Sequence, residues 1–210
     1  MDSRLSLNIL CLTAVLPFAF TACTPKETKS SLQSGQALSA VLAEETVRAA
    51  GARKTVAIIS PDASWGPPSS VEESFKVALK KQGFSVVAAK AANLGDPMRS
   101  GEVGLKSADF LEVLEKCSDA GAIVSFAGAP LLKPGETATL KPDRPPLLVV
   151  ATAMHGETPG VTGDPMQLAR LLEARVIQLA IVDGSDLTTA KSDATHQLFA
   201  QHYRILRRPD

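Results

Sequence analysis

Several candidate functional residues follow directly after apolar runs of the sequence. The first group lies in one short segment and comprises Ser60, Asp62, Ser64 and Trp65, the last being the only tryptophan of the chain. The others follow later apolar runs and are Gly128, Thr152, His155 and Asp183. Hydroxyl, carboxylate and indole groups in one segment could hydrogen-bond to a small ligand and stack against it. In the alternative interpretation, the indole of Trp65 packs over the end of a sheet and covers the core.

A serine-type catalytic triad is one chemistry that these residues permit. It would take its members from three loops, namely Ser60 or Ser64, His155, and Asp62 or Asp183. His155 and Glu157 form a second candidate acid/base pair, but isolated loop residues of these types are usually only solvated. The chain lacks the motifs Gly-x-Ser-x-Gly, Gly-Lys-Ser/Thr, Cys-x-x-Cys and His-Glu-x-x-His. The sequence therefore favours a non-enzymatic role, with no cofactor and no metal site.

The N-terminus has the features of a secretory signal. Arg4 gives a positive start, residues 9–20 form an apolar core, and the small residues Thr21 and Ala22 stand directly before Cys23. The core of about a dozen residues is too short to cross a bilayer, which takes about 20. The segment 20–23, Phe-Thr-Ala-Cys, resembles the lipobox of bacterial lipoproteins. That resemblance implies cleavage before Cys23 and attachment of lipid to this cysteine. An ordinary secretory peptide cut after Ala22 and a buried N-terminal helix are the alternatives.

The segment after Cys23 is polar and rich in Ser, Thr and Lys. This composition is typical of a flexible spacer, so we expect a signal peptide over 1–22, a lipidated tether over 23–35 and one domain over 36–210. Each buried methylene of an acyl chain contributes ~0.8 kcal/mol, so several chains would hold the protein at a membrane. Thr24 is not the aspartate that often marks inner-membrane retention in lipoproteins. The resemblance therefore implies an outer-membrane position facing the periplasm.

Charge and cysteine content exclude other classes. The chain has 22 basic and 22 acidic residues, which gives no electrostatic argument for binding nucleic acid. If Cys11 is removed with the signal and Cys23 carries lipid, only Cys117 remains, and no intrachain disulfide can form. Cys117 shares a helical face with Phe110 and Leu114, which favours a buried apolar role over a nucleophilic one.

Strand-like and helix-like segments alternate through the rest of the chain. We predict strands over 55–60, 85–90, 122–126, 147–152 and 176–182, an edge strand over 199–206, and helices over 36–50, from Ser70 to Gly83, over 108–118 and from Asp164 onwards. The polar excursion over 129–146 is expected to be a short β-hairpin or a surface loop. Three terminal arginines, Arg204, Arg207 and Arg208, are expected to guard an exposed sheet edge.

The alternation predicts a three-layer, Rossmann-like or flavodoxin-like α/β fold in a single lobe. Its sheet should be mostly parallel, have about five to six strands, and follow the order 2-1-3-4-5. In such sheets ligands bind beyond the carboxyl ends of the strands. The candidate residues named above all lie at that edge.

Residues 55–182 resemble one lobe of type I periplasmic ligand-binding proteins. The resemblance rests on the strand at 55–60, Phe75 with the helix stop at Gly83, and Asp109-Phe110 before the strand at 122. A complete receptor of that family has two lobes that close on a ligand. The sequence therefore predicts a lipid-anchored, extracytoplasmic binding or scaffold domain that contacts another envelope protein. A small-ligand-binding lobe is the alternative, and an envelope hydrolase is the third possibility.

Overall fold

The protein is described by a computed structural model that covers residues 26–65, 69–95, 104–152, 164–186 and 193–208. Helices and strands alternate along most of this part of the chain. In chain order they are α1 (Lys26–Ala50), β1 (Thr55–Pro61), a 3₁₀ helix (Ala63–Trp65), α2 (Ser70–Lys81), β2 (Ser85–Ala92), β3 (Leu105–Lys106), α3 (Ser107–Lys116), β4 (Ala122–Ser125), β5 (Pro130–Leu131), α4 (Pro134–Ala138), β6 (Leu147–Ala151), α5 (Pro165–Glu173), β7 (Leu179–Asp183), α6 (Ala194–His202) and β8 (Tyr203–Arg207).

Six strands form one mixed sheet in the order β2-β1-β4-β6-β7-β8. The first five are parallel, and β8 pairs antiparallel with β7, so that Leu179 lies opposite Arg207. This arrangement confirms the predicted α/β class, the mostly parallel sheet and the order 2-1-3-4-5. The eighth strand adds an antiparallel edge next to the fifth parallel strand.

The sheet separates two apolar cores. One core surrounds Phe75 and lies between the sheet and helices α1, α2 and α6, whereas the other surrounds Phe110 and lies beneath α3 and α5. Alternate residues of a strand point to opposite faces, and β1 supplies both cores in this way, with Val56 and Ile58 on one side and Ala57 and Ile59 on the other. Burial on both faces explains why the parallel strands appear in the sequence as continuous apolar runs.

Helix α1 begins at Lys26, ten residues earlier than predicted. Residues 26–35 are therefore helical, and the expectation that this part of the tether is a flexible spacer is wrong. Ser34 and Gly35 are buried, and the Ser39 hydroxyl donates to the carbonyl oxygens of Gly35 and Val71, both at 2.8 Å. These contacts with the rest of the domain stabilise a helix whose composition alone predicts no structure.

Helix α2 begins one residue from the predicted cap. Ser69, not Ser70, is the N-cap, because its extended backbone lets its hydroxyl accept from the Glu72 N–H at 3.1 Å. In the sequence, Ser70 followed three residues later by Glu73 indicates a capping box with Ser70 as the cap, and this prediction is wrong. Neighbouring serines offer the same side chain for one cap, and the sequence pattern does not distinguish them.

The predicted stop of α2 is confirmed. Gly83 has a φ of +78°, and the Phe84 N–H donates to the Leu79 carbonyl at 3.1 Å. The predicted start of α5 is confirmed as well. Asp164 is its N-cap and accepts from the Met166 N–H at 3.0 Å, with proline in the first helical position.

The excursion over 129–146 is neither a hairpin nor a plain loop. Strand β5 pairs parallel with β3, and α4 follows it. The Glu136 carboxylate links the two segments, since it accepts from the Lys133 N–H at 2.8 Å and from the Ser107 hydroxyl at 3.0 Å. Ser107 directly precedes the helix predicted over 108–118 and is by its type a plausible cap, but its hydroxyl is used in this contact, and Lys106 occupies the cap position of α3.

Two strand boundaries differ from the predictions. Strand β7 begins at Leu179 rather than at Val176, because α5 ends in a turn that takes up the preceding residues. The predicted edge strand over 199–206 is partly helical, since α6 extends to His202 and β8 starts at Tyr203.

Two further sequence expectations concern the membrane and Cys117. Among the helices of the described segments, none combines the length and apolar character that crossing a bilayer requires.

Cys117 is half-buried at the end of α3 and packs against the core around Phe110. Burial, reinforced by the nearby charge of Asp119, raises the pKa of its thiol. A raised pKa keeps the thiol protonated and poorly nucleophilic at neutral pH.

Candidate functional site

The carboxyl edge of the sheet carries the described candidate residues. Ser60 lies near the end of β1, Gly128 follows β4, Thr152 follows β6, and Asp183 ends β7. These four strands are neighbours and parallel, so their carboxyl ends lie along one edge. His155 and Glu157 lie outside the described residues, as does the side chain of Trp65.

These residues share an edge without forming a single cluster. Ser60 and Asp183 are separated by three strand-to-strand steps, from β1 to β7. At about 4.8 Å per step, the two strands are roughly 14 Å apart. Ser60 and Asp183 are therefore too far apart to act as neighbouring members of a triad. A ligand that contacted both would have to extend along the edge.

Ser60 instead contacts a buried carboxylate that the sequence predictions omitted. Glu72, in the first turn of α2, is 1% exposed, and its Oε1 accepts from the Ser60 hydroxyl at 2.7 Å. The same oxygen lies 2.7 Å from the Lys76 ammonium. A sequence signal for Glu72 did exist, since it lies three residues before Phe75 and seven before Leu79, both fully buried. A glutamate in the apolar stripe of a helix indicates a partnered buried charge.

The two carboxylates beside Lys76 keep its ammonium group charged. Burial is the largest influence on the Lys76 pKa and lowers it, but the hydrogen bonds to Glu72 and Glu73 outweigh burial, and the net pKa is raised. Lys76 is therefore a cation at neutral pH, with carboxylates at 2.7 and 2.9 Å. The arrangement ties the start of α2 to the end of β1. It directs the Ser60 proton to Glu72.

Asp62 and Ser64 form a local turn after β1. The Asp62 Oδ1 accepts from the Ser64 N–H at 3.0 Å and from the Ser64 hydroxyl. The Asp62 N–H donates to the Ala92 carbonyl at 2.9 Å, which ties the turn to the end of β2. This pattern is an Asx turn, in which the aspartate side chain orders its own loop.

Gly128 has a structural role that accounts for its residue type. Its φ is +77°, and its carbonyl accepts from the buried Ser125 hydroxyl at 2.6 Å. The adjacent Phe126 N–H donates to the Ile59 carbonyl at 2.9 Å. Gly128 thus closes the turn after β4, and a residue with a β-carbon would be strained there.

Asp183 belongs to a network with the C-terminal strand. It lies opposite Tyr203 in the β7–β8 pair. Tyr203 is fully buried. Burial and the charge of Asp183 raise the pKa of its phenol to about 12, although a hydrogen bond to Ser34 acts in the opposite direction. The network joins α1, β7 and β8 at the carboxyl edge. Thr152 is half-buried at the end of β6, two strand positions from β1.

The polar groups of the carboxyl edge are largely engaged within the fold. Ser60, Asp62 and Asp183 each have partners from the fold itself, and no cluster of three potential metal ligands occurs among the described residues. No known family model matches the chain, and no curated protein matches it in sequence. The fold alone therefore defines the class, which is a Rossmann-like α/β domain with a polar carboxyl edge.

Proposed function

We propose that the protein is a lipid-anchored α/β binding or scaffold domain of a bacterial envelope, held by lipid on Cys23 and contacting another envelope protein. The observation that carries the proposal is the segment 20–23, Phe-Thr-Ala-Cys, directly after a short apolar run. The favoured membrane is the outer one, with the domain in the periplasm.

Helix α1 determines how an anchored domain would be oriented. Only Thr24 and Pro25 separate Cys23 from Lys26, where the helix begins. The N-terminal half of α1 packs at the carboxyl edge, since Ser39 bonds to Val71 in the first turn of α2. From Ser39 the helix runs about 17 Å, to Ala50, towards the amino edge at 1.5 Å per residue. A domain anchored at Cys23 would turn its carboxyl edge to the membrane and its amino edge away from it.

The cysteine variants test the anchor directly. Replacing Cys23 by serine is expected to abolish incorporation of labelled palmitate and to move the protein from the membrane fraction to the soluble fraction. The matched control is Cys11→Ser, because Cys11 lies within the predicted signal and would be removed from the mature protein. That variant should be labelled and sedimented like the unchanged chain. Equal labelling of the Cys23→Ser protein, or an unlabelled soluble unchanged chain, would rule out the lipoprotein assignment.

The outer edge of β2 is the surface best suited to a protein partner. Among the described residues β2 pairs only with β1, so its other edge has unpaired backbone groups. Val87 is 45% exposed there. Lys90, the only charged residue of the strand, is held by Asp109 at 3.0 Å and Glu112 at 2.7 Å. An edge with few free charges can accept a strand from another protein.

Site-specific crosslinking in cells tests this surface. A photoreactive residue at Val87 is expected to give a discrete adduct with an envelope protein. The same residue at Val77, which is 51% exposed on α2, serves as the control and should give little or none. Equal adducts at both positions would contradict a specific edge contact.

A small-ligand-binding lobe is the second candidate. The observation that favours it is that Ser60, Thr152 and Asp183 follow neighbouring parallel strands and lie at one edge. Absence of a Val87 adduct, together with thermal stabilisation of the chain by an amino acid, sugar or nucleoside, would favour this candidate. A ligand present at 100 times its dissociation constant adds ~2.7 kcal/mol to stability.

A further inference from the structure

A cleft of about 810 Å³ opens at the amino edge of the sheet, opposite the carboxyl edge. No aspartate or glutamate of the described residues lines this cleft. Four arginines do, namely Arg144, Arg175, Arg207 and Arg208. The chain as a whole has equal numbers of basic and acidic residues. The cleft is therefore a strongly positive region of an otherwise neutral protein. We call it the arginine cleft.

The topology of the sheet brings the four arginines together. Arg144 precedes β6, and Arg175 follows α5, so both lie where parallel strands begin. Strand β8 runs antiparallel, and its last residue, Arg207, lies opposite Leu179 at the start of β7. Arg208 continues from that point. Three separate elements thus deliver guanidinium groups to one place.

Most of this positive charge lacks a carboxylate partner among the described residues. Arg207 is the exception, with Glu45 at 2.8 Å, and Glu45 also pairs with Arg48 at 2.7 Å. Within the described segments, Arg144 donates only to carbonyl oxygens, those of Lys141 at 2.7 Å and of Arg175. It is half-buried, and burial alone lowers its pKa. A guanidinium held by carbonyls keeps its full charge and further N–H donors.

Arg175 occupies a position where the backbone favours glycine. Its φ of +57° is the only positive value of a non-glycine residue among the described residues. It ends α5 in a Schellman turn, in which the Val176 N–H donates to the Leu171 carbonyl at 2.8 Å. Glycine would make the same backbone bonds without strain. The exposed arginine side chain is therefore not required by the turn, and strain of this kind is a recognised mark of functional positions.

We propose that the arginine cleft binds a ligand carrying two or more phosphate groups. Planar guanidinium forks match the paired oxygens of phosphate, and three of the four arginines have no carboxylate partner among the described residues. The cleft volume lies within the range of small-molecule sites and exceeds what a single phosphate fills. The inference does not depend on the lipid anchor, since it uses only the amino edge.

Calorimetric titration of the full chain, in a non-ionic detergent and at constant ionic strength, tests the proposal with inorganic pyrophosphate. The unchanged chain should bind saturably, and Arg175→Gly should bind about tenfold or more weakly. The free Arg175→Gly protein should nevertheless unfold at a temperature roughly 1–4 °C higher, because glycine relieves the left-handed strain. Weaker binding in a more stable protein cannot arise from damage to the fold.

Two further variants complete the test. Arg208→Gln should weaken binding like Arg175→Gly, since Arg208 lines the same cleft. The control is Arg170→Gln, which removes the same charge from an exposed position of α5 outside the cleft and should bind pyrophosphate normally. Equal weakening by Arg170→Gln, or unchanged binding by Arg175→Gly and Arg208→Gln, would overturn the proposal.

The source of the phosphate is determined by a second titration. Farnesyl diphosphate, a water-soluble short-chain lipid, presents two phosphates at the end of an apolar chain as a lipid headgroup does, whereas pyrophosphate presents them free. Tighter binding of pyrophosphate, lost in Arg175→Gly, would identify a soluble ligand. Tighter binding of the short-chain lipid with the same loss would identify a headgroup. If neither bound saturably, the proposal would be wrong.

Discussion

Replacing Phe75 by alanine is expected to lower the free energy of unfolding by about 3–5 kcal/mol. The side chain is fully buried between α2 and the sheet, and its ring meets that of Phe126 edge-on, with centroids 5.6 Å apart. Its removal leaves a cavity in the core between α2 and the sheet, because the neighbouring side chains relax only partly. The edge-to-face ring contact adds to the loss.

Urea denaturation of the unchanged and variant chains measures this effect. Phe75→Leu retains most of the apolar volume and should cost less than half as much as alanine. Val77→Ala, at an exposed position of the same helix, should change stability by no more than about 0.5 kcal/mol. A loss below about 1 kcal/mol for Phe75→Ala would mean that α2 does not pack against the sheet as described.

The fold was predictable because its strongest signals are periodic and redundant. Continuous apolar runs marked the five parallel strands, and the alternation with helices fixed the order of the sheet. Local stop signals such as Gly83 agreed with that pattern. One misjudged boundary, the start of α1, depends on contacts that are distant in sequence. The first ten residues of α1 are polar and predict a spacer, but Ser34 and Ser39 bond to distant parts of the domain.

The candidate site was predictable only in its general position. Parallel strands bring Ser60, Thr152 and Asp183 to one edge, as the sheet order implied. The helical spacing of Glu72 marked it as a buried charge, but its contact with Ser60 and that of Tyr203 with Asp183 arise through packing and could not be foreseen. The polarity of Asp62 and Ser64, which suggested a ligand, serves their own turn.

The arginine cleft left no local pattern at all. Its members are separated by up to 64 positions, from Arg144 to Arg208. The sequence interpretation of Arg207 as a guard of the sheet edge missed its ion pair with Glu45 on α1. Charge convergence of this kind depends on tertiary structure, so an overall charge of zero concealed a concentrated positive region.

The two edges of the sheet therefore have different chemistry. At the carboxyl edge, acidic and hydroxyl groups are paired within the fold, as Glu72 is with Ser60 and Lys76. At the amino edge, guanidinium groups converge, and the described part of the chain gives them a single carboxylate contact, that of Arg207 with Glu45. Unsatisfied charge is the more direct indication of a ligand, because paired groups would have to exchange partners on binding.

Ionisation of Tyr203 is expected to destabilise the protein as pH rises from about 10 to about 12. In the folded chain, burial and the charge of Asp183 raise the pKa of the phenol to about 12, whereas an unfolded tyrosine has a pKa of about 10. Between these values the unfolded state loses the proton while the folded state keeps it. Stability therefore falls with pH, and the two-unit difference corresponds to a loss of about 3 kcal/mol.

This prediction can be measured at a single residue, because Tyr203 is the only tyrosine of the chain. Phenolate absorbance should show a midpoint near 12 in the folded protein and near 10 in denaturant. Lysines also titrate in this range, so the stability of the unchanged chain should be compared with that of Tyr203→Phe at each pH. The difference between them should diminish or reverse above pH 10, since only the tyrosine can ionise. A folded-state midpoint near 10 would mean that the phenol is solvated, and the network joining α1, β7 and β8 would then be wrong.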